Sequence, residues 1–131
     1  MPWATDAAPV PLDTLHVLHA EHGDVHVVSF RRDEAGHAAL EPVKHYFSSA
    51  FLEHTANWHR LVVDLSGVQA LDSSCLGPLV QKFRLAQKGG GRVVLSGVTS
   101  PALEEIFALT RFDKVFPITH ECSEAITLAA T

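Results

Sequence analysis

The stretch Leu61–Phe83, LVVDLSGVQALDSSCLGPLVQKF, decides how the rest of the chain is read. Its opening, LVVDL, is a nearly continuous apolar run, the pattern of a strand covered on both faces. A polar loop follows, and then Leu76, Leu79, Val80, Phe83 and Ala86 recur at helical spacing, giving one apolar stripe. Strand, loop and helix in this order is the unit of an open sheet with a parallel core. In such sheets functional groups gather in the loops beyond the carboxyl ends of the strands. The loop here closes on an acid, two hydroxyls and a thiol: Asp72, Ser73, Ser74 and Cys75.

Downstream, Gly89-Gly90-Gly91 stops the helix, because consecutive glycines make its continuation costly. RVVLSGV then predicts a strand, and SPALEEIFAL a helix with Ser100 as N-cap and Pro101 at its first position. KVFPI predicts a short strand and ECSEAITLA a terminal helix. Upstream, TLHVLHAEHGDVHVVSF holds two β-type runs around His22-Gly23-Asp24, the signal of an antiparallel hairpin. Between Ala38 and Asn57, Leu40, Val43, Phe47, Phe51 and Leu52 predict one long amphipathic helix. The predicted fold class is therefore α/β: a mixed sheet of four to five strands with an N-terminal antiparallel hairpin, a parallel core and about four helices. Residues 1–13, with Pro2, Pro9 and Pro11, read as a mobile arm and residues 14–131 as one domain.

Composition narrows the function. In 131 residues, 47% are hydrophobic, enough for one sizeable core, and the net charge of -5 argues against direct binding to nucleic acid. No stretch approaches the roughly 20 apolar residues that cross a bilayer, and the N-terminus lacks the pattern of a signal peptide. A soluble, cytoplasmic protein without membrane insertion is expected. Cys75 and Cys122 are too few and too far apart for a disulfide framework or a paired-cysteine metal site.

Asp72, Ser73 and Ser74 have two readings. They can cap the following helix, or Ser73 can stand exposed and receive a phosphoryl group, adding about -1.5 to -2 charge beside Asp72. Cys75 can be a buried packing residue or an activated thiol at a helix N-terminus. A cysteine phosphatase is excluded because Gln81 stands where the arginine would be. Asp64 at a strand end suggests a phosphoacceptor of the receiver type, but Arg31 and Arg32 occupy the place of the acidic pair that would hold magnesium. The loop ends at Arg31–Gly36, Ser66–Ser74 and Val98–Pro101 lie on one side of the predicted sheet. Arg31, Asp33, Ser66, Gly67, Thr99 and Ser100 are therefore the candidate partner-binding residues.

The chain has nine histidines, with His16, His19, His22 and His26 in the hairpin. Only a cross-strand pair such as His19 with His26 can converge, and no third ligand is evident from spacing, so surface histidines and no metal are expected. His54, near a helix end, suits a charged imidazole at the negative pole of the dipole. GGGRVV lacks the Lys-Ser/Thr element of a phosphate loop and reads as a connector.

Taken together, RLVVDLSGVQALDSSCLG, the helix after it, GGGRVVLSGV, ALEEIFALTRFDKVFPI and EAI resemble the STAS domain family, especially bacterial anti-sigma factor antagonists, over about Leu15 to Ala129. The most specific part is Asp64-Leu65-Ser66-Gly67-Val68, a spacer, Asp72-Ser73-Ser74 and Leu76-Gly77. The resemblance implies a switch protein rather than an enzyme, with no cofactor of its own. It implies that Ser73 is the phosphoacceptor, that Asp72, Ser74 and Cys75 form the switch loop, and that the partners are an anti-sigma factor serine kinase and a PP2C-type phosphatase. The same family also includes non-switching scaffolds and accessory subunits of stress-signalling assemblies and lipid transporters. Two residues depart from the motif: Cys75 stands where glycine is usual, and Pro78 where a helix former is common. Pro78 is compatible with a helix starting near Ser74 only if a backbone bond is given up, whereas a start capped by Gly77 would accommodate it.

Overall fold

A computed structural model describes residues 12–131. The expected arm over residues 1–13 lies outside the described residues, apart from Leu12 and Asp13.

Five strands form one sheet in the order β1-β2-β3-β4-β5: β1 Val17–His22, β2 Val25–Phe30, β3 Arg60–Asp64, β4 Arg92–Ser96 and β5 Ile118–Thr119. β1 and β2 are the antiparallel hairpin, turning at Gly23-Asp24, and every later pairing is parallel. β3 is the central strand, and all three of Leu61, Val62 and Val63 are fully buried. Alternation sends Leu61 and Val63 to one face and Val62 to the other.

On the first face lie α1 Leu40–Ser49, α2 Phe51–His54, α3 Ser73–Lys88, α4 Pro101–Leu109 and α5 Phe112–Val115. Their apolar stripes enclose the larger core, in which Tyr46, Phe47, Phe51, Leu79, Leu103 and Phe107 are buried against the strands. The second face is covered by α6 Cys122–Ala130, which lays Ala125 and Ala129 on Val25, Val27, Val62 and Val94. Small residues let this helix approach the sheet closely, and Glu121 with Glu124 forms a reciprocal capping box at its start.

Two expectations are corrected. The single helix from Ala38 to Asn57 is broken at Ala50, whose backbone departs from helical geometry at φ -124°, ψ -25°. Just before the break, the hydroxyls of Ser48 and Ser49 donate back to the carbonyls of Lys44 and His45, a side-chain bond that bends helices. Leu40, assigned to the buried stripe, is 44% exposed.

KVFPI is not a strand along its length: Phe112–Val115 is helical and β5 retains only Ile118–Thr119. Phe112 and Phe116 are four residues apart, and their rings meet at 5.3 Å, with Phe107 stacked on Phe112 at 5.5 Å. A helical turn brings both rings together, whereas along a strand the two, though on one face, would stand about 13 Å apart.

Lys82 on α3 is buried, and its ammonium donates to the Thr55 carbonyl at the end of α2, 2.5 Å away. Burial lowers its pKa, and the bond is the second to a carbonyl that also accepts from the Trp58 amide at 3.0 Å, tying α3 to the turn after α2.

Candidate switch loop and partner surface

The Asp72 loop caps the helix that follows it. Asp72 is extended, at φ -120°, ψ -177°, and its Oδ1 accepts from the Ser74 amide at 3.0 Å and from the Ser74 hydroxyl at 2.5 Å. It is the N-cap of α3. Its other oxygen, Oδ2, lies 3.1 Å from the Lys44 ammonium on α1. The Ser74 hydroxyl and the Lys44 ammonium together hold the Asp72 carboxyl down to a pKa of about 2. The bond to Asp72 in turn raises the pKa of Lys44.

With Asp72 and Ser74 occupied in the cap, Ser73 is the first helical residue and is exposed. Among the described residues its hydroxyl has no hydrogen-bond partner, so it projects free from the positive end of a 16-residue helix. Cys75, next in line, points inward and has no exposed surface. Its sulfur lies 4.0 Å from the Lys44 carbonyl, and burial raises its pKa, the reverse of an activated nucleophile.

The helix starts before Pro78, not at a Gly77 cap. Pro78 is inside α3, and the backbone bond its missing N–H would have made to the Ser74 carbonyl is absent. The Cys75 and Leu76 amides both donate to the Asp72 carbonyl, at 2.9 and 3.0 Å, so the first turn closes on the cap residue itself.

The loops at the carboxyl ends of β2, β3 and β4 pack on one another. Gly67, at φ +83°, is in a conformation that side chains disfavour, and a Cβ there would stand 2.6 Å from the Gly36 carbonyl oxygen and 2.7 Å from Arg32 Cδ. The Gly67 carbonyl also accepts from the Ala38 amide at 2.9 Å. Asp64 Oδ1 accepts from the Ser66 amide at 3.0 Å and the Ser66 hydroxyl at 2.6 Å. This carboxylate thus terminates β3 and folds its loop. Gly97, at φ +71°, passes so close that a Cβ would meet Ser66 Oγ, with Asp64 Oδ1 2.5 Å away.

Of the six residues assigned to a partner surface, Arg31, Asp33 and Thr99 are exposed and Ser66 is half-buried. The Arg31 guanidinium donates to the Leu15 carbonyl at 2.6 Å, and Asp33 accepts from the Ala35 and His37 amides at 2.9 and 3.0 Å. These bonds hold the pKa of Asp33 below its usual value, the His37 amide contributing most. Two assignments are corrected. Gly67 is buried where the loops meet, and Ser100 is only 5% exposed, because its hydroxyl donates to the Gln69 carbonyl at 2.8 Å while capping α4. Both position the loops and present little surface to a partner.

Lys44 was missed by sequence reasoning: it is 28 positions before Asp72 and meets it only because α1 packs on α3. The histidines also differ from expectation. His54 Nδ1 is hydrogen-bonded to the Tyr46 hydroxyl at 2.7 Å, and burial lowers its pKa, so the charged form at a helix end is not favoured. His19 and His26 do converge, and Glu21 is beside them.

A mixed five-stranded sheet with an exposed hydroxyl at the first turn of the helix after its central strand defines a small α/β domain of the STAS type. The family described as "Mlab, STAS domain" matches residues 37–119, and the chain belongs to it. Solved structures agree. An anti-sigma factor antagonist domain protein from Planctomyces limnophilus superposes with a TM-score of 0.71 at 24% identity, over 88% of this chain and 98% of that one. An anti-sigma factor antagonist from Mycobacterium paratuberculosis gives 0.64 at 28% identity, over 88% and 93%. A candidate antagonist from Thermotoga maritima gives 0.71 at 20%, over 88% and 95%. Among the described residues, no helix is long and apolar enough to cross a membrane.

Proposed function

We propose that this chain is an anti-sigma factor antagonist, a binding protein without catalysis of its own, and that Ser73 is its phosphorylation switch. The observation that carries the reading is the division of labour in the loop: Asp72 and Ser74 form the cap, leaving the Ser73 hydroxyl exposed and unpartnered. A phosphoryl group on Ser73 would sit at a helix N-terminus, where amides and dipole favour an anion, so α3 need not unfold. Its charge of about -2 would be added at the exposed start of α3 and change which partner charges the loop accepts. Likeness to the 28% identical Mycobacterium paratuberculosis antagonist supports the partner class. The corresponding enzymes are an anti-sigma factor with serine kinase activity and a PP2C-type phosphatase.

Incubation with the cognate kinase and ATP, followed by peptide mass spectrometry, is expected to place one phosphate on Ser73. Phosphate on another residue, or none with a kinase proven active, would overturn the switch. A second reading, a non-switching scaffold or accessory subunit of a stress-signalling assembly or lipid transporter, is favoured by Cys75 and Pro78 in the loop. It predicts stable partner binding that Ser73→Asp leaves unchanged.

A further inference from the structure

We propose that His19, Glu21 and His26 on the β1–β2 hairpin form a binding site for a divalent d-block cation of the zinc class. The hairpin register pairs Glu21 directly with His26 and places His19 on the adjacent diagonal, so alternation turns all three side chains to the same sheet face. His19 Nε2 and His26 Nδ1 are 2.9 Å apart, Glu21 Oε1 is 3.8 Å from His26 Nδ1, and the three ligand atoms all lie within 4.8 Å of one another. Two imidazoles and a carboxylate, with a fourth position left to water, are a donor set that suits Zn²⁺.

The required movement is small. At Zn–N bonds of about 2.0–2.1 Å, two ligands on a tetrahedron stand about 3.3 Å apart. The imidazole nitrogens must separate by a few tenths of an ångström and tilt toward a common point, and the Glu21 carboxylate must close from 3.8 Å on His26 and from within 4.8 Å on His19, a swing of roughly 1 Å that one rotation of an exposed side chain supplies. His19 and Glu21 are exposed and can swing, while His26 is half-buried and fixes the site to the sheet.

Trp58 holds the imidazoles ready. Its ring stacks on His19 at 4.4 Å and 12°, and on His26 at 4.4 Å and 5°, leaving the two imidazoles within 9° of one plane. Without a cation, the facing nitrogens share one proton in a hydrogen bond. On binding, that proton moves to the other nitrogen of its own ring and both facing lone pairs go to the cation. The three ligands precede the segment 37–119 that matches the family, so the site does not depend on the switch reading.

The test is a titration of the full chain with Zn²⁺, followed by calorimetry and by NMR of the histidine rings. One Zn²⁺ per chain is expected, with the His19 and His26 ring signals shifting together. His19→Gln and His26→Gln should each weaken binding at least 100-fold and Glu21→Gln about 10-fold. His22→Gln, exposed at the end of β1 and turned to the opposite sheet face by alternation, should leave it unchanged. Amide spectra of each variant verify the fold. Absence of binding at 100-fold molar excess of Zn²⁺, or affinity retained within twofold in folded His26→Gln, would overturn the proposal.

Discussion

Replacing Pro78 by alanine tests the account of the α3 start most directly. Pro78 is the sixth residue of a helix that begins at Ser73, and it deprives the Ser74 carbonyl of its bond. Within a helix, proline is about 3 kcal/mol less favourable than alanine. Part of this is offset because proline also restricts the unfolded chain, worth about 0.4–1 kcal/mol. The difference predicts that Pro78→Ala is about 2 kcal/mol more stable. For a chain of 131 residues, unfolding entropy of about 2.1 cal/mol/K per residue converts this to a Tm rise of about 7 °C. Calorimetry and urea denaturation followed by circular dichroism measure it, with the urea slope unchanged. Hydrogen exchange should also show the new amide at position 78 protected. An unchanged or lowered Tm with native spectra would refute the reasoning. It would mean that the first turn of α3 is shaped to the proline and that its geometry, not a lost bond, sets stability there.

Two further outcomes follow from the same loop. The folded pKa of Asp72, about 2, lies below its ordinary 3.8, so its contribution to stability is complete above about pH 4 and is lost as pH falls toward 2. Asp72→Asn should flatten that part of the acid denaturation curve, and an Asp72 carboxyl titrating near 3.8 by NMR would contradict the cap. The buried thiol of Cys75, its pKa raised, should resist iodoacetamide at pH 8 in the native protein and react once urea unfolds it. Labelling of Cys75 at the unfolded rate under native conditions would show that the loop opens.

The central strand, its loop and the next helix were legible because burial on two faces and helical periodicity each leave a one-dimensional pattern. Short-range chemistry misled in two places. The serine pair at Ser48-Ser49 breaks a helix whose apolar spacing continues through the break, and the Phe112/Phe116 pair draws into a turn a segment whose composition is that of a strand. Ser100 was assigned both a cap and a surface role, and one buried hydroxyl serves only the first. Lys44 beside Asp72 and Glu21 beside His26 were invisible for another reason. Each pair is created by packing or register, which set distances that sequence separation does not encode.

One layer of the molecule rests on its last helix. The valines at Val25, Val27, Val62 and Val94 are in place once the strands have paired, yet their cover is supplied by Ala125 and Ala129, late in the sequence. On the ribosome, a nascent chain would therefore carry a half-clad sheet until Cys122–Ala130 had emerged from the exit tunnel. The domain cannot be finished vectorially from its N-terminus, and the interval before α6 arrives is when a sticky valine face most needs a chaperone's shelter.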